Sequence, residues 1–130
     1  MGGPLKKHTI LAIEDEKPTL SALVDKFSRE GFSVLQAKNG EEGLAIALKD
    51  HPDLILLDII MPKMDGMTMF KKLRGDAWGK TVPVIILTNL TSADENRNRD
   101  VTGLEPAYYF EKSNWKIEDV VAKVKECLGL

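Results

Sequence analysis

Five side chains in this chain have types that phosphoryl chemistry uses: Glu14, Asp15, Asp58, Thr88 and Lys112. Each stands where an apolar, β-rich run stops. "HTILAIE" ends in Glu14 with Asp15 beside it, "DLILLD" ends in Asp58, "VPVIILT" ends in Thr88, and "AYYFEK" ends in Lys112. If those runs are neighbouring strands of one sheet, about 4.8 Å apart, the five groups share one pocket. Three clustered carboxylates repel one another, and at least one pKa should rise. A hard divalent cation relieves the repulsion, and oxygen ligands with room for water suit Mg²⁺, with Mn²⁺ as an alternative. A lysine and a hydroxyl add positive charge and a donor. Together these parts meet the demands of phosphoryl transfer, in which equatorial oxygens are neutralised while the apical ones stay in line. An aspartate can then act as nucleophile and form an acyl phosphate.

The elements that must hold these groups are legible as strand–helix alternation. Strands are expected at 8–14, 32–37, 53–58, 82–88 and 107–112. The first helix opens at Pro18, carries Leu20, Leu23, Val24 and Phe27 on one stripe, and ends at Gly31. The second follows Asn39, which stands three residues before Glu42 in a capping-box pattern, and stops at His51–Pro52. The third runs from Asp65 to Arg74. A fourth is expected over 92–104, although "SADENRNRD" is poor in helix formers, so it should be short or mobile. The last starts near Trp115, with Ile117, Val120, Val121, Val124 and Leu128 on one face. Alternation of this kind implies βαβ units and a parallel α/β sheet covered on both faces. The continuous apolar strands agree, because burial on two sides leaves no polar face. In such sheets the ligand site lies beyond the carboxyl ends of the strands, where the acids stand.

Bulk properties narrow the classes. A length of 130 residues is one domain, with 43% hydrophobic and 29% charged residues. The formal net charge of −2 gives no general surface for nucleic acid or membrane. Cys127 is the one cysteine, so no internal disulfide forms, which fits a reducing compartment. No signal peptide and no apolar run long enough to span a membrane is present, and a cytoplasmic protein is expected. Residues 1–7 read as a loose N-terminal tail.

The motifs "AIEDE", "DLILLDIIMPKMDG", "ILTNL" and "YYFEKS", in this order and each at a strand end, resemble the receiver domain of two-component response regulators over essentially all of residues 1–130. The resemblance implies a doubly wound (βα)5 flavodoxin-like three-layer sandwich with strand order 2-1-3-4-5. It implies that Asp58 accepts a phosphoryl group from a sensor histidine kinase or phosphotransfer protein. It implies Mg²⁺ coordination by Asp15, Asp58 and the Ile60 carbonyl, with Glu14 holding the metal through water. Lys112 pairs with Asp58 and then with a phosphoryl oxygen, Thr88 bonds another, and Tyr109 turns into the space that Thr88 vacates. The switched face of the fourth helix, fifth strand and fifth helix then meets a downstream protein effector. The protein is expected to be a monomer or weak dimer, a signalling switch rather than an enzyme, with no direct contact to nucleic acid or membrane.

Departures from the family pattern also carry expectations. Glu14 stands where aspartate is commoner, and Asn89 follows Thr88 where a small residue is favoured. Ser113 replaces a proline that is usually in a cis bond, and a non-proline cis bond costs roughly 3 kcal/mol. Either the bond is cis, or it is trans and Lys112 is re-aimed. Ile60 and Leu90 occupy positions that influence attack of water on the acyl phosphate; both are apolar, so self-dephosphorylation should be slow.

Taken singly, Asp58 is a turn residue, Thr88 a strand residue and Lys112 a solvated lysine. His8 and His51 are too far apart in pattern for a metal pair. A phosphohydrolase would want a second acid at Ile60. A flavin module would not place acids in the first loop, and a nucleotide enzyme would want a glycine-rich loop. The remaining alternative is a receiver-like interaction domain that no longer takes phosphate. No output domain follows Leu130, so a stand-alone regulator and a piece of a larger protein both stay open.

Overall fold

The computed structural model of the chain describes residues 7–61, 63–88 and 106–130. Five parallel strands form one sheet in the order β2-β1-β3-β4-β5: β1 Thr9–Ile13, β2 Ser33–Ala37, β3 Leu54–Leu57, β4 Val84–Thr88 and β5 Tyr108–Glu111. The helices are α1 Lys17–Arg29, α2 Gly40–Asp50, α3 Gly66–Arg74 and a C-terminal helix, Ile117–Cys127. The fourth helix expected over 92–104 lies outside the described residues, as do Asn89 and Leu90.

Strand side chains alternate between faces, and the core divides accordingly. Leu11, Ile13, Ile55, Leu57, Val84 and Ile86 pack with Ala47 of α2 and with Met69, Phe70 and Leu73 of α3. Ile10, Ala12, Leu54, Leu56, Ile85 and Leu87 pack with Leu23 and Phe27 of α1 and with Val120, Val121 and Val124 of the C-terminal helix. The sheet is therefore the middle of three layers. This is why β3 carries no polar side chain before Asp58, and β1 none between Thr9 and Glu14.

Helix ends obey local chemistry, with small shifts from expectation. α1 begins at Lys17, one residue before Pro18, and its last turn is closed by Glu30 and by Gly31 at φ 93°. Asn39 Oδ1 accepts the Glu42 N–H at 2.8 Å, as the capping pattern implied. Asp65 Oδ1 accepts the Thr68 N–H at 2.9 Å and starts α3. The C-terminal helix begins at Ile117, two residues later than Trp115 suggested, and that indole instead packs against the α1-side core. Trp78 covers the edge of the other core and stacks on His51, with ring centroids 4.3 Å apart.

The turn after β3 leaves no room for a side chain at Gly66. Gly66 donates its N–H to the Ile59 carbonyl at 2.8 Å. A Cβ on Gly66 would stand 2.2 Å from the Asp58 carbonyl oxygen and 2.7 Å from Ile59 Cα. Both obstacles are backbone and cannot rotate away. Gly66→Ala should therefore lower unfolding free energy by about 1–3 kcal/mol or more, read as a fall in the urea midpoint at unchanged slope. A midpoint equal to that of the parent chain would show that the turn opens freely.

Candidate phosphoryl-acceptor site

The carboxyl ends of β1, β3 and β5 deliver the site. Glu14 and Asp15 follow β1, Asp58 follows β3, and Lys112 follows β5. The strand order reverses between β1 and β3, where a doubly wound sheet opens its crevice. The Asp58 N–H donates to the Ile13 carbonyl and the Glu14 N–H to the Ala37 carbonyl, both at 3.0 Å, so each acid is held by one more rung of the ladder.

One oxygen from each of Glu14, Asp15 and Asp58 lies within 4.8 Å of the other two. Asp15 is exposed, whereas Glu14 and Asp58 are only 1% and 4% exposed. Asp58 is thus more deeply set than a residue at the lip of the sheet, and Glu14 is a buried group rather than a surface acid. Lys112 Nζ compensates both, lying 3.3 Å from Asp58 Oδ2 and in direct ion-pair contact with Glu14 Oε2. Glu16 Oε1 stands 3.9 Å from the same ammonium. Glu14 Oε1 accepts the Glu16 N–H at 3.1 Å, and Asp58 Oδ1 accepts the Ile60 N–H at 3.3 Å.

Burial pushes the Asp58 carboxyl up to about 7, and the charge of Glu14 adds to the rise while Lys112 opposes it. Burial pulls the Lys112 ammonium down, but its contact with Glu14 and the charges of Asp58, Glu14 and Glu16 outweigh that and hold its pKa above the ordinary value. Lys112 is therefore a fixed cation, and Asp58 is the acid that cannot ionise cheaply without further positive charge.

The sequence-expected residues separate into those brought together and those not. Glu14, Asp15, Asp58 and Lys112 converge. Lys112 reaches Asp58 although no peptide bond among the described residues is cis, so the bond to Ser113 is trans and the ammonium is not aimed away. Ile60 is 52% exposed at the rim, its N–H turned to Asp58. Thr88 closes β4 opposite Glu111, and its side chain lies outside what is described. Tyr109 is 40% exposed on β5, opposite Ile86. Two contributions escaped sequence reasoning. Glu16 is the third acid of "EDE", and nothing in the sequence places it near Lys112. Lys38 and Lys63 line a recess together with Asp15, and nothing in their own segments signals it.

The direction of the Asp58 shift fixes a pH dependence for the metal-free protein. With a folded pKa near 7 and an unfolded one near 4, the folded state binds the extra proton between those values. Stability therefore falls as pH rises through that window. Asp58→Asn should stabilise the metal-free chain by about 2–4 kcal/mol at pH 8 and by little near pH 4. Thermal unfolding in chelator at both pH values measures it. An equal gain at both would remove the buried-charge account.

Comparison with known proteins agrees with this geometry. Residues 10–125 match the response regulator receiver domain. The chain is 38% identical over 101 residues to a probable transcriptional regulator, ycf27, of Porphyridium aerugineum, covering 78% of this chain and 39% of that protein. It is 35% identical over 120 residues to the DNA-binding dual master transcriptional regulator RpaA of Synechocystis sp., covering 92% of this chain and 48% of that protein. The chain therefore spans less than half the length of these relatives. Among solved structures, the signal receiver domain of a signal transduction histidine kinase from Syntrophus aciditrophicus superposes with a TM-score of 0.84 at 28% identity, over 94% of this chain and 90% of that one. The pattern of acids and lysine at the strand ends, the 2-1-3-4-5 sheet and these matches place the chain in the response regulator receiver domain family, a family of signalling switches.

Proposed function

We propose that this domain accepts a phosphoryl group on Asp58 and converts it into a change of surface. The observation that carries the reading is the convergence of Glu14, Asp15 and Asp58 on one point with Lys112 against them. The acids fit a hard divalent cation. The exposed Asp15 after β1 and the buried Asp58 after β3 bring oxygens within 4.8 Å of each other, and burial leaves Asp58 short of positive charge. In this reading Asp15, Asp58 and the Ile60 carbonyl hold Mg²⁺ or Mn²⁺, with Glu14 acting through water. Bound there, the cation neutralises phosphoryl oxygens.

The chain's own groups supply the rest. Asp58 is the nucleophile and becomes the acyl phosphate. Lys112 keeps one phosphoryl oxygen paired, and Thr88 donates its hydroxyl to another. Tyr109 then leaves its exposed position on β5 for the space beside Thr88. The donor is a sensor histidine kinase or phosphotransfer protein. A downstream protein reads the face of the fourth helix, β5 and the C-terminal helix. The domain works in the cytoplasm as a monomer or weak dimer and does not itself contact nucleic acid, in line with its net charge of −2. Among the described residues no helix is long and apolar enough to cross a membrane.

Incubation with acetyl phosphate and Mg²⁺ should raise the intact mass by one phosphoryl, and Asp58→Asn should abolish the gain. An adduct that persists in that variant removes the acceptor assignment, and a parent chain that never gains mass favours a domain that binds partners without phosphate. Without phosphodonor, millimolar Mg²⁺ should raise the thermal midpoint, and Asp15→Asn should lose most of that rise. Ile60 leaves an apolar, exposed side chain where a polar one could orient water. The phosphorylated form should therefore decay over minutes or longer, and decay within seconds would contradict it.

A further inference from the structure

The acidic crevice continues, on its β2 side, into two recesses. One, of about 480 Å³, lies between the start of α1 and the end of β2; Glu14, Asp15, Lys17, Leu20 and Lys38 are among the residues that line it. The other, of about 390 Å³, is lined by Asp15, Lys38, Asn39, Glu42 and Lys63. Lys38 belongs to both. Lys17, Lys38 and Lys63 are exposed, and none of the three makes an ion pair or a side-chain hydrogen bond among the described residues. This separates them from Lys112, which is committed to Glu14 and Asp58.

The backbone fixes one of the three in place. Lys63 has φ 47° and Met64 φ 63°, two successive left-handed residues without glycine. The Gly40 N–H donates to the Met64 carbonyl at 3.1 Å and ties this bend to the start of α2, beside Lys38. Lys38 and Lys63, from separate loops, thus line one recess together with Asp15.

Their chemistry answers a difficulty in the proposed reaction. A phosphodonor dianion must approach a mouth that presents Asp15, Glu16 and Glu42, all of its own sign. We propose that Lys38 and Lys63, assisted by Lys17, form an anion-guiding rim that draws a small phosphodonor dianion to the β2 side of the crevice before transfer to Asp58. The inference rests on the phosphoryl-acceptor reading of Asp58. Uncommitted cations lining a concave approach raise the local concentration of an oppositely charged reactant. They act over a Debye length of about 10 Å at 0.1 M salt, which added salt shortens to about 3 Å at 1 M. The same cations oppose a divalent metal at Asp15. Removing them should therefore slow the donor while leaving metal affinity the same or higher, a pair of effects that damage to the fold would not produce.

The test uses the whole chain, saturating Mg²⁺ and two probes at neutral pH, acetyl phosphate as the dianion and phosphoramidate as a donor of lower net charge. The second-order rate of phosphoryl gain is followed by mass. The Lys38→Glu/Lys63→Glu double variant should react about three- to tenfold more slowly with acetyl phosphate at low salt. The deficit should be smaller with phosphoramidate and should nearly close in 1 M salt. The Lys38→Gln/Lys63→Gln variant should fall between, and Mg²⁺ titration should show undiminished affinity in both. A rate unchanged at low salt overturns the rim, as does an equal loss with both probes at every salt concentration. If the parent chain reacts normally and only these dependences are missing, the rim alone fails; if the parent chain gains no phosphoryl, the acceptor reading fails and takes the rim with it.

Discussion

The arrangement depends on two buried carboxylates held side by side against one ammonium. Two like charges 4 Å apart repel by about 4 kcal/mol at the effective dielectric of a protein edge. Glu14 and Asp58 tolerate this because Lys112 enters from β5 and meets both. Removing Lys112 would leave both carboxylates without their cation, a penalty typically of about 3–5 kcal/mol. The sheet has to be rigid enough to withstand that repulsion. Its two apolar faces, each sealed by a pair of helices, provide the rigidity.

Charge compensation also explains why the site is incomplete as a purely protein structure. Lys112 brings one positive charge to a group containing Glu14, Asp58 and, at its edge, Glu16. Burial, with the charge of Glu14 added, makes Asp58 hold its proton up to about neutral pH. Any divalent cation or phosphoryl group that enters must renegotiate these contacts, because Lys112 cannot serve Glu14, Asp58 and an added anion equally. Sensitivity to a ligand is thus a property of the resting charges before any partner is considered.

Much of this was legible from residue order. The runs ending in Glu14 and Asp58 are apolar because both sides of each strand are covered, whereas the edge strand before Lys112 is largely exposed, and the groups that end these runs are the ones that meet. Helix starts at Asn39 and Asp65 were readable because a side-chain oxygen there has one geometric task. Burial depth was not readable. Whether Glu14 faces water or a lysine depends on where β5 ends relative to β1, a contact between segments nearly a hundred residues apart. The bond after Lys112 was undecidable for a similar reason, since the lysine can reach Asp58 through a trans peptide. Lys38 and Lys63 were invisible because their shared recess is made by two loops joined through the Gly40 and Met64 backbone.

That backbone joint has a mechanical side. Gly66 rests on the carbonyl of Asp58 and is bonded to Ile59, while Met64, two residues earlier, is bonded to the first residue of α2. The acid, the first turn of α3 and the first turn of α2 are linked by main-chain atoms at near-contact distances, with no flexible side chain between them. A displacement of a few tenths of an ångström at the Asp58 backbone has no slack in which to dissipate. It is passed to two helices at once, as a crank passes motion through a shared pin.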